Sequence, residues 1–101
     1  MEEWDTHYRT VILEPDAQQF VDSALKQNPQ FEDRWRSIEW LLARTPEAGA
    51  YRWPDASSEY WVKPFPEKRL AKTPSLVLLY SFTENDVRIY RVRFGAESET
   101  R

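Results

Sequence analysis

The feature that most constrains the fold is a run of apolar residues near the carboxyl end of the chain. Residues 75–82, Ser-Leu-Val-Leu-Leu-Tyr-Ser-Phe, are apolar at both odd and even positions. A strand with one face in water alternates apolar and polar side chains, whereas a strand covered on both faces is apolar throughout. A short polar stretch at 83–86 follows, and residues 87–94 resume a strand-like pattern. The sequence therefore predicts a central strand with a hairpin partner beside it.

Two amphipathic helices are predicted before this hairpin. Pro15 with Asp16, and Pro29 after Asn28, are start signals, because proline suits the first helical turn and asparagine caps the amino terminus of a helix. Two apolar stripes at helical spacing follow these signals: Ala17, Phe20, Val21, Ala24 and Leu25, then Phe31, Trp35, Ile38, Leu41 and Leu42. Almost no loop separates the helices, so they form a helical hairpin whose apolar faces need a sheet to cover them.

Three shorter segments complete the predicted fold. Residues 8–13 are apolar at both odd and even positions, which predicts an interior strand. Residues 50–53 predict a short strand that Pro54 ends, and residues 59–65 predict an edge or irregular strand because they contain Pro64. We expect an α+β fold with an N-terminal strand, a helical hairpin on one face, and then a mainly antiparallel sheet of three or four strands. The expected order of elements is β-α-α-β-β-β.

Composition predicts one domain and excludes several kinds of chemistry. The 101 residues predict a single domain over 1–101, ordered over about residues 5–95 with a frayed tail at 96–101. The chain has no cysteine and one histidine, His7, which excludes disulfides, thiolate nucleophiles and ordinary zinc sites. Its two glycines match no phosphate-binding loop. We therefore expect neither a metal nor a cofactor.

Charge is distributed unevenly along the chain. Residues 1–49 carry ten acidic and five basic side chains, whereas residues 50–101 carry nine basic and seven acidic ones, so the net charge of -3 conceals a mildly basic second half. The acidic start differs from a signal peptide, and no apolar run approaches the roughly 20 residues of a membrane span. We therefore expect a cytoplasmic protein without a membrane partner, with any anion-binding surface in residues 50–101.

The basic residues of the second half predict a phosphate-binding surface. Arg91 and Arg93 are at odd-numbered positions, as Val87 and Ile89 are, and alternate residues of a strand lie on the same face. One face of the last strand is therefore expected to change from apolar to cationic along its length. Such a face can bind phosphate, and interleaved aromatic side chains can stack on bases. The predicted nucleic-acid-binding residues are Lys72, Arg88, Tyr90 and Trp61, with Tyr60 beside them. The alternative is that the arginines pair with the acidic helices and cover a sheet edge.

The order of these elements resembles that of the RelE/ParE toxin superfamily. The resemblance is carried by a strand that runs directly into a Pro-Asp-Ala helix (residues 8–17), the helical hairpin, the turn at 46–49, and the closing hairpin of 76–80 and 87–92. It covers about residues 8–95. RelE-like members cleave messenger RNA on the ribosome without a metal, whereas ParE-like members inhibit DNA gyrase. Both are neutralised by an antitoxin whose tail wraps the domain, so the resemblance implies a cognate antitoxin as partner.

The resemblance to RelE-like members implies a metal-independent ribonuclease in which the RNA 2′-hydroxyl attacks the adjacent phosphate. In such an enzyme Arg91 or Arg93 would stabilise the charge of the phosphorane. The basic residues before the central strand would position the phosphate or exchange protons. The candidates for that second role are Lys63, Lys68 and Arg69.

A non-catalytic interaction protein of the same fold is the alternative function, either a gyrase inhibitor or an inactive toxin relative bound by an antitoxin. Val77 stands where family members commonly carry an arginine. The last strand ends in Arg93-Phe94-Gly95, where many active members have His or Arg followed by Tyr. Both differences from the family pattern favour the interaction protein. A small α+β protein unrelated to toxins is the third hypothesis.

Overall fold

Two helices and five strands make up the part of the chain that the computed structural model describes, residues 8–52, 59–68 and 73–95. In chain order the elements are β1 (Thr10–Leu13), α1 (Pro15–Gln27), α2 (Phe31–Arg44), β2 (Tyr51–Arg52), β3 (Trp61–Phe65), β4 (Leu76–Phe82) and β5 (Asp86–Phe94). The strands form one sheet in the order β1-β5-β4-β3-β2. β1 runs parallel to β5, and the other three neighbouring pairs are antiparallel.

The α+β class and the central position of β4 are confirmed, but the predicted order of elements is wrong by one strand. Residues 51–52 and 61–65 form separate strands within the two predicted segments, so four strands follow the helices and the order is β-α-α-β-β-β-β instead of β-α-α-β-β-β. The sheet is mixed because β1 is parallel to β5. Trp53 and the predicted tail at 96–101 lie outside the described residues.

The prediction that β1 is an interior strand is also wrong, because β1 lies at an edge of the sheet. Val11 and Leu13 pack against the hydrophobic core, which explains why the odd-numbered positions are apolar. The even-numbered Ile12 lies on the opposite face of the sheet, beside its register partner Arg88. Two half-buried faces therefore produced the same pattern as a strand with neighbours on both edges.

Helix α1 begins at Pro15 as predicted, whereas α2 begins at Phe31, two residues after the predicted Pro29. Pro29 and Gln30 form a turn between the helices. The Asn28 side-chain oxygen accepts a hydrogen bond from the backbone N–H of Gln30 at 3.0 Å. Asn28 therefore caps this turn rather than the first turn of α2, a use of its side chain that competes with helix capping.

One hydrophobic core lies between the helices and one face of the sheet. Its fully buried side chains are Phe31, Ile38, Leu42, Leu76, Leu78, Tyr80, Val87, Ile89 and Val92. β4 contributes every second residue to this core, namely Leu76, Leu78 and Tyr80. The hydroxyl of Tyr80 donates a hydrogen bond to the Pro46 carbonyl at 2.5 Å, and burial raises the pKa of this phenol. The central strand thus contributes to the core and is bonded to the turn that follows α2.

A β-bulge in the β4–β5 pair changes the register near the middle of β5. Tyr80 pairs with Ile89, but the preceding residue Leu79 pairs with Arg91. Tyr90 is therefore the extra residue on β5. Because side chains alternate between the two faces of a strand, one extra residue reverses the facing of every residue beyond it.

This bulge makes the predicted facing of the arginines wrong. Val87 and Ile89 are fully buried on the side of the helices, and beyond the bulge Val92 joins them at 0% exposure. Arg91 and Arg93 consequently lie on the opposite face, and both are exposed. Strict alternation along the sequence places these arginines on the same face as Val87 and Ile89, because it does not take the extra residue of the bulge into account.

Candidate functional site

The candidate site lies on the face of the sheet opposite the helices, which we call the open face. Paired residues of neighbouring strands point to the same side of a sheet. Since alternate residues of β4 are buried against the helices, the residues between them and their partners must face away. The open face carries Val62 and Pro64 from β3, Val77, Leu79 and Ser81 from β4, and Arg88, Arg91 and Arg93 from β5.

A groove of about 430 Å³ crosses the middle of the open face. Val77 and Leu79 form its floor, and Val77 is 37% exposed although it lies in the central strand. Arg93 and Arg91 are the cross-strand partners of these two residues and line the groove on β5. The groove therefore combines an apolar floor with two guanidinium groups, which suits a ligand with both a flat apolar part and an anionic part.

Two tyrosines lie on the same face. The rings of Tyr60 and Tyr90 meet edge to face, with centroids 5.0 Å apart and planes at 75°. The Tyr90 hydroxyl is 3.0 Å from the hydroxyl of Ser81, which holds the bulge residue against β4. Tyr60 lines the groove and is 39% exposed. An exposed aromatic ring beside an arginine is a surface on which a nucleic-acid base can stack.

Trp61, the third predicted stacking residue, lies on the other face of the sheet. Its register partner is Tyr80, which is buried against the helices. The Trp61 ring packs at 5.5 Å from the ring of Phe82, and the Arg52 guanidinium lies 5.5 Å from its centroid. Trp61 therefore contributes to packing at the margin of the core rather than to the open face.

The three arginines of β5 differ in their partners. Arg93 donates two hydrogen bonds to the Asp16 carboxylate, at 2.8 and 3.2 Å, and Arg88 pairs with Glu14 at 2.5 Å. Among the residues that the structure describes, Arg91 has neither a hydrogen bond nor an ion pair through its guanidinium. The expectation that arginines pair with the acidic half of the chain thus holds for Arg88 and Arg93. Of the three, Arg91 is the arginine whose guanidinium has no described partner and is available to a phosphate.

The pKa values reflect the Arg93–Asp16 ion pair. The hydrogen bond from Arg93 holds the pKa of the Asp16 carboxyl below its ordinary value. The same hydrogen bond raises the pKa of the Arg93 guanidinium. Asp16 is in the first turn of α1, where the helix dipole also favours a negative charge. Asp16 is therefore an anion throughout the neutral pH range and lies next to the groove.

The structure does not bring Lys63 together with Arg91 and Arg93. Lys63 pairs with the buried Leu78, so its side chain lies on the helix side of the sheet. Its Nζ donates a hydrogen bond to the Ala48 carbonyl and lies 5.2 Å from the centroid of the Phe65 ring. Partial burial lowers the pKa of this amine. The predicted catalytic set is thus divided between the two faces.

The remaining predicted site residues belong to the segment between β3 and β4. Lys68 forms an isolated bridge with Thr73, in which each backbone N–H donates to the other residue's carbonyl, at 2.9 and 3.1 Å. Arg34 of α2 donates a hydrogen bond to the Pro66 carbonyl at 2.5 Å, which joins the start of this segment to the helical layer. Arg69 and Lys72 lie outside the described residues.

Sequence reasoning missed Asp16 and the groove floor. The sequence indicates Asp16 only as a helix-start residue, and its partner Arg93 is 77 positions away, so no local pattern indicates the pair. Val77 and Leu79 were expected to be buried on the second face of the central strand. Within the described part of the chain nothing covers that face fully, and this depends on where the helices pack rather than on β4 itself.

The groove is suited to binding anions. Guanidinium and phenol groups donate hydrogen bonds to phosphate oxygens. Among the described residues that line the groove there is no carboxylate, imidazole or amine to transfer protons near neutral pH. The described residues also contain no group of three or more histidine or acidic side chains arranged to hold a metal ion.

No family model, curated protein or solved structure matches this chain. The RelE/ParE resemblance accordingly rests on the order and pattern of the sequence elements alone. Neither of the two described helices has the length and apolar character needed to cross a membrane.

Proposed function

We propose that the protein is a cytoplasmic, RelE/ParE-like toxin component of a toxin–antitoxin pair, and that its open face binds single-stranded RNA. The observation that carries the RNA-binding part is Arg91, whose guanidinium is free of ion pairs to described residues beside the exposed ring of Tyr60. Arginine and an aromatic ring together supply the two contacts that single strands need, one to phosphate and one to a base.

The groove dimensions and floor support a nucleotide as ligand. Val77 and Leu79 provide an apolar surface on which a base or ribose can lie, and Tyr60 closes one side. Stacking of a base on an aromatic side chain stabilises such complexes by about 1–3 kcal/mol. A guanidinium that donates two parallel hydrogen bonds fixes the phosphate in one orientation. Duplex RNA presents its bases inward, so the groove favours single strands.

The geometry favours binding over cleavage. In the cleavage reaction implied by the resemblance, the 2′-oxygen attacks phosphorus, the 5′-oxygen leaves, and protons must move to and from these oxygens. Arg91 and Arg93 can stabilise the charge on the phosphate oxygens. Lys63 cannot reach the same phosphate, because it lies on the helix side of the sheet and its amine is bonded to Ala48. Cleavage would therefore depend on Lys68 or Arg69 for proton transfer.

RNA binding is tested by fluorescence anisotropy with a short fluorescein-labelled single-stranded oligoribonucleotide at low salt. We expect wild-type protein to bind, Arg91→Gln to bind about tenfold more weakly because one charge-assisted contact is lost, and Tyr60→Ala to bind at least about fivefold more weakly. Arg36→Gln is the matched control. Arg36 is 72% exposed on α2 and pairs only with Glu32 among the described residues, so its loss removes the same charge away from the groove.

The proposal is contradicted if wild-type protein does not bind the oligoribonucleotide at low salt. It is also contradicted if Arg91→Gln and Arg36→Gln weaken binding equally, because the loss would then reflect net charge rather than the groove. A duplex of the same sequence serves as the competitor. Preference for the duplex would exclude the stacking role of Tyr60.

A second function, a non-catalytic interaction protein, is favoured by an exposed aromatic surface on α2. Trp40 is 51% exposed and its neighbour Leu41 is 38% exposed, although both lie in an amphipathic helix. The Arg44 guanidinium lies 4.4 Å from the Trp40 ring centroid and 5.9 Å from that of Tyr8. Exposed apolar clusters with a cationic member are common in protein interfaces. This surface would be covered by an antitoxin or by another protein target such as gyrase.

A further inference from the structure

The two arginines that line the groove are not equally available to a ligand. Arg93 uses Nη1 and Nη2 to bind both oxygens of Asp16, and Nη1 also donates to the Val92 carbonyl at 2.7 Å. Arg91 makes none of these contacts, although it is close enough to Asp16 to lower the pKa of that carboxyl. The carboxylate of Asp16 thus lies where an anionic ligand of Arg93 would bind.

The contact between Asp16 and Arg93 has the same chemistry as an arginine–phosphate contact. A guanidinium offers five N–H donors in one plane, and a carboxylate or a phosphate accepts two of them in parallel. Three of the five donors of Arg93 are already used by Asp16 and Val92. A phosphate can therefore bind the Nη1–Nη2 edge of Arg93 only after the Asp16 carboxylate leaves. The two remaining donors, Nε–H and one Nη2–H, form the adjacent edge of the guanidinium, where a phosphate would bind beside the negative charge of Asp16.

We propose that Asp16 is an intramolecular competitor of RNA phosphate at Arg93, and that it sets how tightly the open face binds RNA. This inference rests on the proposed function of the groove. Arg91 binds the first phosphate directly, whereas Arg93 binds a neighbouring phosphate at the cost of its bond to Asp16. Asp16 is then a residue that determines affinity and specificity without contacting the RNA: ligands with a single phosphate bind at Arg91, and only a polymer gains the contact to Arg93.

Competition between Asp16 and phosphate should also change how RNA binding depends on salt concentration. Each phosphate that a protein neutralises on a single strand releases counterions, and the logarithm of the binding constant falls with the logarithm of salt concentration by about 0.7 for each phosphate. When Arg93 exchanges Asp16 for phosphate, the freed carboxylate attracts a cation from solution. The wild-type protein therefore releases fewer counterions than a variant without the Asp16 charge. Removing that charge must steepen the salt dependence as well as strengthen binding.

The test compares Asp16→Asn with wild-type protein, using the same labelled oligoribonucleotide over a series of salt concentrations. We expect Asp16→Asn to bind about threefold or more tightly at low salt and to show a salt slope steeper by about 0.7. Asp22→Asn is the matched control. Asp22 lies on the same helix, is exposed, and hydrogen-bonds Gln18 at 3.0 Å instead of a groove residue.

A double-mutant cycle separates competition at Arg93 from a general loss of negative charge. In an Arg93→Gln background the gain in binding from Asp16→Asn should shrink to a small remainder that reflects the nearby charge of Arg91, because the competed contact is absent. The inference is overturned if Asp16→Asn and Asp22→Asn have equal effects, or if the Asp16→Asn gain persists undiminished in the Arg93→Gln background.

The result also distinguishes this inference from the proposed function. Binding that depends on Arg91 and Tyr60, with no difference between Asp16→Asn and Asp22→Asn, overturns the competition and leaves RNA binding intact. Failure of wild-type protein and Asp16→Asn alike to bind the oligoribonucleotide overturns both. Thermal denaturation of each variant verifies that it is folded, which is expected because Asp16 and Arg93 are both about half exposed.

Discussion

At the scale of single residues, the open face depends on the different partners of two neighbouring arginines. Arg91 and Arg93 are separated by one residue and point to the same side of β5, yet only Arg93 has a carboxylate within bonding distance among the described residues. The difference arises from the position of Asp16 at the start of α1, which reaches the end of β5 but not its middle. Local geometry thus distinguishes side chains that composition would treat as equivalent.

Asp16 also predicts an acid-dependent contribution to stability. Its pKa in the folded protein is held below the ordinary value of 3.8 by Arg93. A carboxyl with a lower pKa in the folded state stabilises that state fully above its unfolded pKa, and the contribution is lost as the pH falls through the folded pKa. We expect the difference in free energy of unfolding between wild-type protein and Asp16→Asn to be constant from about pH 8 to 5 and to shrink below about pH 4.

Urea denaturation at a series of pH values measures this difference. Asp22→Asn provides the comparison, since the Asp22 carboxylate bonds an amide rather than a cation. A wild-type–Asp16→Asn difference that stays unchanged down to the lowest pH at which the domain folds would show that the ion pair with Arg93 does not stabilise the fold.

At the scale of elements, the bulge allows β5 to place apolar residues in the core and arginines on the open face both before and after Tyr90. Before the bulge its inward residues, Val87 and Ile89, belong to the core, and after the bulge Val92 continues that role. Arg88 before the bulge and the arginines beyond Tyr90 are directed to the open face instead. One strand thereby supplies both the packing of the domain and the cationic side of the groove.

The bulge predicts a contrast between two adjacent positions of β5. We expect Val92→Asn to lower the free energy of unfolding by about 2 kcal/mol or more, because Val92 is 0% exposed and the amide would be buried among apolar groups. Arg91→Asn is exposed and should change stability by about 0.5 kcal/mol or less. Urea denaturation of both variants measures these changes. The reverse ranking would mean that β5 follows the simple parity of its sequence without the bulge.

Local sequence signals predicted those elements whose pattern is set within a few residues. The helices and the central strand were predicted because apolar spacing, Pro15 and the run at 75–82 are all local features. The edge position of β1, the extra residue at Tyr90 and the pairing of Asp16 depend on contacts between distant segments. Parity counting could not register a bulge, and it therefore assigned the arginines to the wrong face.

At the scale of the whole molecule, the uneven charge of the chain is partly neutralised inside the fold. Glu14 and Asp16 of the acidic first half pair with Arg88 and Arg93 of the basic second half. These two ion pairs flank Pro15 and join the start of α1 to β5. The surplus positive charge of the second half is thereby reduced, and Arg91 is left as the unpaired guanidinium of β5 among the described residues.

Expression of the chain alone in bacteria tests the toxin proposal as a whole. We expect growth arrest that Arg91→Gln relieves and Arg36→Gln does not, since only Arg91 lines the groove. Ribosome-dependent cuts in messenger RNA, mapped by primer extension, would identify the RNA as target. Gyrase-linked DNA damage would support the interaction function instead, and Trp40→Ala should then relieve the arrest. Normal growth of cells that contain the soluble wild-type protein would contradict a toxin.

The hydrogen bond from Tyr80 to the Pro46 carbonyl affects how the domain unfolds. Tyr80 is 0% exposed, so water cannot replace Pro46 as the partner of its hydroxyl while the core is intact. An ordinary surface turn can detach and reclose while the rest of the protein remains folded. This turn cannot do so without breaking a bond inside the core. The link between the helical layer and β2 is therefore expected to open only with the whole domain, in one cooperative step.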